Sequence, residues 1–365
     1  MALTFGTKVD YSTQTYLTEK AIDFLDSTHF VVAYYYSEVV RVKIGVISDD
    51  DTITYGSEYT VNSHNSNNVS VVCLDSTHFV VSYYDNGGSN YGEARVGVVS
   101  SGDEVAFGGI YNFSTEEQTF SRMCKLDSTH FVITYITGSD AGKSIVGVLS
   151  SGNVLAFGSE VSAGTSRDLD CASLDSTHFV ITYSDRSDTS TKYGTAQVGT
   201  ISSGNVITYG SKYVYRSSQT DKGRCASIDS THFVVAYESG AGSIVGVVSS
   251  GNTIAFGSAV SFNGSTDTGT FSISKISSSN FAITYRGGSN YGTGRIGKVS
   301  GNSITYEDAS VFYSGYVSIG RQDLSSTDSN NFIALYTDSS GSSSSIVGIF
   351  TTTVANTTNF FNFIN

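Results

Sequence analysis

The chain has 365 residues with 33 Asp and Glu against 20 Lys and Arg, a net charge of −13, which argues against nucleic acid or an anionic membrane surface as a partner. No apolar run approaches the ~18 residues of a membrane-spanning helix, so no membrane insertion is expected, and the opening "MALTFGTKVDYS" lacks the basic and apolar regions of a secretory leader. With 24 Tyr, 21 Phe and 38 Gly but neither Pro nor Trp, the composition points to β-structure whose turns rely on Gly, Asn, Asp and Ser.

Taken from the N-terminus, "LTFGT" at 3–7 has the form of a strand that recurs later as "TITYGSEY", "VLAFGSEV", "VITYGSKY" and "TIAFGSAV". "LDSTHFVV" follows at Leu25, and close copies begin at Leu74, Leu126, Leu174 and Ile228. Its Phe recurs at 30, 79, 131, 179, 233, 281 and 332, in steps of 48 to 54 residues. A fixed period of this size marks a repeat architecture. The second unit shows the pattern clearly: strand A in "NNVSVVCL" (67–74), strand B in "FVVSY" (79–83), strand C in "ARVGVVS" (94–100), then "SSGD" (100–103). Phe, alternate Val or Ile, and a Tyr present in every copy (Tyr34, Tyr83, Tyr135, Tyr183, Tyr237, Tyr285, Tyr336) put apolar groups on both faces of strand B, as in a strand packed between two sheets. "SSGN" at 150–153, 202–205 and 249–252 supplies the positive φ of a tight C–D hairpin. The seventh unit reaches strand C at "SIVGIF" (345–350) and then loses the pattern. The N-terminal strand is therefore expected to supply its missing strand D and close a ring, although "TVANTTNFFNFIN" (353–365) competes for that place.

Four consecutive antiparallel strands with short loops make a propeller blade. On these residues the chain resembles the seven-bladed β-propellers over essentially its whole length, and its Leu–x4–Phe–Val–Val–x–Tyr core is similar to repeats of assorted bacterial and viral surface propellers. The resemblance is one of architecture: there is no Trp-Asp dipeptide, kelch pattern, Asp-box or integrin-type calcium loop. The expected fold is all-β, a single domain over 1–365 of seven four-stranded antiparallel blades, with residues 1–10 completing the last.

Asp, Ser, Thr and His within four positions is a hydrolytic vocabulary, but the copies argue against chemistry. Asn280 and Asn331 replace the His of the last two units, and Ser277 replaces the Asp of the sixth. Asn can keep a hydrogen bond but cannot act as a general base. The run therefore reads as turn chemistry. Cys171 and Cys225 stand where other units carry Ile22, Val71, Met123 and Ile273, as buried structural thiols would. The acidic "DDD" at 49–51 is a lone acidic turn in place of "SGN", a weak signal that leaves calcium binding there open; otherwise neither a metal nor a cofactor is expected.

In the propeller layout the A–B and C–D loops share one face, and the irregular B–C and D–A loops share the other, where function more often sits. Two B–C loops carry "GGSNYG" and a third carries "KYG". Asn90, Tyr91, Tyr193, Asn290 and Tyr291 are therefore candidate ligand-binding residues, against the alternative of an inherited hairpin loop. Arg122, Asp170 and Arg224 share one register of strand A and are candidates for a polar ring around the channel, against the alternative of solvated ion pairs. The leading functional expectation is a non-enzymatic recognition module binding a glycan or protein on this face, as in surface or virion attachment. The absence of Trp counts against a strong lectin. The alternatives are a polysaccharide-acting hydrolase or lyase at the channel mouth, using acidic residues such as Asp168 and Asp170, and a structural assembly component. An extracellular and a cytoplasmic location both stay open, as does the oligomeric state.

Overall fold

The computed structural model describes residues 2–15, 17, 19–187, 192–264, 271–320, 324–327 and 331–351. Among them there is no helix, so none is long and apolar enough to cross a membrane. The chain runs through four-stranded antiparallel blades joined by short loops. Blade 1 comprises Lys20–Phe24, His29–Tyr36, Val39–Ile47 and Ile53–Thr60. Blade 2 comprises Ser66–Cys73, His78–Asp85, Gly92–Val99 and Val105–Ser114. From blade 3 onward the outer strand is in two pieces. In blade 6, for example, Ser303–Tyr306 and Ser310–Ser318 both pair with Tyr291–Ser300.

Seven such blades form a closed β-propeller. The inner strands meet one another in cyclic order, and Lys20–Phe24 of blade 1 lies beside Leu324–Ser326 of blade 7. Closure comes from the N-terminus: Ala2–Phe5 pairs with the third strand of blade 7, Leu3 opposite Phe350 and Phe5 opposite Gly348. The pairing continues beyond residue 10, through Val9–Thr15, further than the sequence pattern indicates. That segment is polar apart from Val9 and Tyr11, and two register shifts break its alternation. It is anchored by Tyr11, whose buried ring lies 5.6 Å from Tyr34 and 6.2 Å from Tyr55. The competing tail, 353–365, lies outside the described residues.

One packing unit repeats in every blade. The strand B Phe faces a Gly across the ladder: Phe30 and Gly45, Phe79 and Gly97, Phe131 and Gly147, Phe179 and Gly199, Phe233 and Gly246, Phe281 and Gly297, Phe332 and Gly348. A Cβ on any of these glycines would intrude on the Phe ring, so the ring lies flat over bare backbone. Each Phe is fully buried and meets an aromatic ring of its blade's outer strand edge-on. The partners are Tyr55, Phe107, Phe157, Tyr209, Phe256, Tyr306 and, in blade 7, Phe5 from the N-terminus. Such edge-to-face pairs add about 0.5–1.5 kcal/mol beyond their buried area.

The A–B turn is built by its Asp. Asp229 Oδ1 accepts from Thr231 N at 2.7 Å, Thr231 Oγ1 at 2.8 Å and His232 N at 2.8 Å, and the other four copies repeat the arrangement. In blade 6 Ser277 Oγ takes over, accepting from Asn280 N at 3.1 Å and Asn280 Nδ2 at 2.9 Å.

Two predictions follow from these contacts. Gly147→Ala forces the Phe131 ring out of place and is expected to lower stability by about 2 kcal/mol, read as a lower urea midpoint at unchanged m-value. Burial pushes the Asp229 carboxyl up, but its hydrogen bonds from Thr231 and His232 outweigh this and leave its pKa at about 2. A carboxylate depressed below its unfolded value of about 3.9 stabilises the fold above that pH, and the gain disappears as pH falls towards 2. The melting-temperature advantage of the wild type over Asp229→Ala is therefore expected to shrink between about pH 5 and pH 2.

Candidate active site at the channel mouth

Seven inner strands cannot pack to a point, so they surround a central channel. Their edge N–H groups find no neighbouring ladder there, and polar side chains collect at both ends. On the face of the D–A loops the mouth opens into a cavity of about 380 Å³. Among the described residues it receives four cations, Lys20, Arg122, Lys222 and Arg224, and one carboxylate, Glu19.

Lys20, Arg122 and Arg224 are positioned by their inner strands, and Lys222 by the loop before Arg224. Arg122 and Arg224 occupy the same register, opposite Thr134 and Ala236 of their own blades, and both are buried. Arg122 donates from Nη1 to Ser121 O at 2.9 Å, and its guanidinium lies 4.4 Å from the centroid of the Phe120 ring. Arg224 donates to Gly223 O, with the Phe271 ring 5.9 Å away. Lys20 reaches across the ring closure to Thr337 Oγ1 at 3.4 Å. Lys222, at φ +53°, pairs with Glu238 at 2.9 Å.

Glu19 precedes the first inner strand and accepts hydrogen bonds from the backbone N–H groups of Asn68 and Val69 on blade 2. Asn68, at φ +58°, sits in a bulge that turns its N–H inward. Burial raises the Glu19 pKa, and the opposing pull of these N–H groups and of the Arg122 charge does not cancel it. A carboxylate shifted upward in a polar cleft is a candidate for proton transfer.

The other sequence candidates are dispersed. Asp170 shares the register of Arg122 and Arg224, opposite Thr182, yet lines a separate cavity of about 320 Å³ with Asp23, Lys125 and Lys275. There it accepts from Cys225 N on the next blade at 2.9 Å, as Asp23 accepts from Cys73 N at 2.7 Å. Asp168, the other carboxylate expected for an enzyme, lines a lateral groove. Asp168 and Asp170 therefore do not form a catalytic pair. Asn90 and Asn290 take φ of +59° and +65° within their hairpins, and in the first of these Asp85 gathers Gly87 N, Gly88 N and Ser89 N. Tyr91, Tyr193 and Tyr291 stand on blades 2, 4 and 6. Tyr291 lines a cavity of about 360 Å³ with Tyr285 and Arg295, and the other two share none of these cavities.

Glu19, Lys20 and Lys222 escape the sequence reading. Glu19 and Lys20 sit in "TEKAID", at the start of the first inner strand, where the other units carry no charge at the Lys20 register (Val69, Ser121, Leu169, Gly223 and Phe271) to single it out. The four Cys are free and buried, and burial pushes the thiols of Cys73, Cys171 and Cys225 far up. They are therefore held as unreactive thiols. Among the described residues no three His, Cys, Asp or Glu side chains gather as a metal site.

No family model and no curated relative matches the chain. Solved structures do match its fold. A Bacteroides uniformis protein provisionally named a 6-phosphogluconolactonase superposes at TM-score 0.59 with 9% identity, over 87% of this chain and 94% of that one. The periplasmic gluconolactonase of Pseudomonas aeruginosa superposes at 0.56 with 12% identity, over 80% and 84%. AofleA of Arthrobotrys oligospora superposes at 0.51 with 9% identity, over 85% and 90%. At such identities the likeness establishes the propeller fold. The lactonase names among these structures stand against the expectation of a non-enzymatic recognition module, whose alternative was a polysaccharide-acting hydrolase or lyase.

Proposed function

We propose that the channel mouth hydrolyses a sugar lactone, an internal ester. The observation that carries this reading is the mouth's composition: among the described residues, one carboxylate with a raised pKa beside four cations. Hydrolysis of a glycosidic bond ordinarily needs two carboxylates flanking it, and the described residues of the mouth offer one. Ester hydrolysis needs one base and a stabiliser for the oxyanion, and the mouth offers both. The lactonase names of several similar folds point the same way.

In this mechanism ionised Glu19 takes a proton from a water molecule as its oxygen attacks the lactone carbonyl carbon. The carbonyl electrons move to oxygen, and that oxyanion faces Arg122 and Arg224. When the tetrahedral intermediate collapses, the ring C–O bond breaks and the leaving oxygen receives the proton held by Glu19. One water is consumed, and the product is an open hydroxy acid.

Two results are expected. Glu19→Gln lowers kcat on glucono-δ-lactone by about 10²-fold. Because the base acts ionised and its pKa lies above the ordinary 4.5, kcat/KM falls as pH is lowered, with its acidic limb above pH 4.5. Lactone panels followed in a pH-stat, corrected for spontaneous hydrolysis, test both. No turnover above that background, or a fully active Glu19→Gln, overturns the proposal.

A further inference from the structure

We infer that the substrate carries at least one neutral sugar unit beyond the lactone ring, held in the lateral groove on blades 3, 4 and 5. This rests on the lactonase reading and extends it to the substrate's size.

The groove, about 650 Å³, shares Thr119, Phe120 and Lys222 with the mouth, so the two cavities adjoin. Their chemistry differs. Where the mouth is cationic, the groove sets Asp140, Asp168, Asp221 and Glu238 against Arg167, Arg186 and Lys222. Most of these charges are paired within the protein. Arg167 grips Asp140 through two nitrogens at 2.9–3.1 Å, Arg186 reaches Asp221 at 3.5 Å, and Lys222 holds Glu238 at 2.9 Å. A charged ligand gains little against charges already matched. A ligand whose groups each donate and accept can hydrogen-bond both members of a pair, and sugar hydroxyls are such groups.

Two further features favour a saccharide. Phe120 and Ile136 lie among the charges and offer apolar surface to the C–H face of a ring. Arg186 also lines the groove; its Nε has no hydrogen-bond partner among the described residues, and a shift of the side chain into the groove would let a hydroxyl oxygen accept from it. The mouth alone is of a size that holds one small molecule, so the groove is room for the rest of a longer one.

The test compares kcat/KM on cellobionolactone, maltobionolactone and lactobionolactone with that on glucono-δ-lactone. At least one disaccharide lactone is expected to exceed the monosaccharide by about tenfold, and Arg186→Ala and Asp221→Asn are each expected to collapse that ratio towards one. Circular dichroism melts check that both variants fold. Calorimetric titration with the corresponding disaccharide acids and with gluconate gives a readout independent of turnover, with tighter binding of a disaccharide acid expected and its loss in Arg186→Ala. Turnover of glucono-δ-lactone at ratios near one overturns the inference and leaves the lactonase reading standing. Disaccharide-acid binding without hydrolysis of any lactone removes the lactonase reading and keeps the groove as a saccharide site. Neither binding nor hydrolysis removes both.

Discussion

Everything in this molecule depends on a Phe ring lying over a Gly across the second and third strands of each blade. Without a Cβ on that Gly, the ring can lie flat against the ladder and present its edge to the outer-strand aromatic. The residue after that aromatic is also usually Gly, and it lets the next blade approach. Gly56 faces the backbone of Asp103, Gly108 that of Asn153, Gly158 that of Asn205 and Gly257 that of Asn302, in each case the C–D hairpin of the following blade. A single line of contacts thus runs from the strand B Phe through the blade to its neighbour. Ring closure uses the same line: Phe5 meets Phe332 edge-on, and a Cβ on Gly6 would come within 3.1 Å of Asp51 O. The N-terminal strand serves as the outer strand of blade 7 because it carries this aromatic–Gly pair.

A scaffold locked at its periphery leaves its centre to polar residues. Inner strands of neighbouring blades converge without forming a ladder, so their N–H groups must find other acceptors. Asp23 and Asp170 meet this need at one end of the channel by accepting from the next blade, at Cys73 N and Cys225 N. Glu19 does the same at the other end, at Asn68 N and Val69 N. Its surroundings differ, because four cations share its cavity. The same local need therefore yields a structural latch at one end and a group suited to proton transfer at the other.

This symmetry explains what could be read from the sequence. The blade count, the strand order and the closing N-terminal strand were legible because Phe, Tyr and Gly recur at fixed spacing for packing reasons that hold in every unit. The site was only half legible. Register correctly grouped Arg122, Asp170 and Arg224 on equivalent positions of strand A, but register does not say where a side chain ends. An Arg is long enough to carry its charge along the strand to the mouth. The short Asp170 stays beside the neighbouring strand and bonds its backbone. Glu19 and Lys20 belong to no loop that the repeat marks out, and they become visible as site residues only when the ring brings blades 1, 2 and 3 together.

The charge distribution bears on the proposed chemistry. A lactone's reacting carbonyl is neutral, its transition state places negative charge on oxygen, and its product is a carboxylate. Cations at the mouth therefore stabilise the transition state more than the reacting ester, which is the condition for acceleration rather than mere binding. They also favour the product, and a site built of four cations alone would be slow to release it. The chain's −13 charge opposes that retention. The adjoining groove sets four carboxylates against three cations, so an anion leaving the mouth passes from a cationic cavity into one close to charge balance, within about a Debye length, ~8 Å at physiological salt. Under the proposed chemistry, a small basic mouth on an acidic protein thus favours negative charge where it develops without extending that hold beyond the cavity.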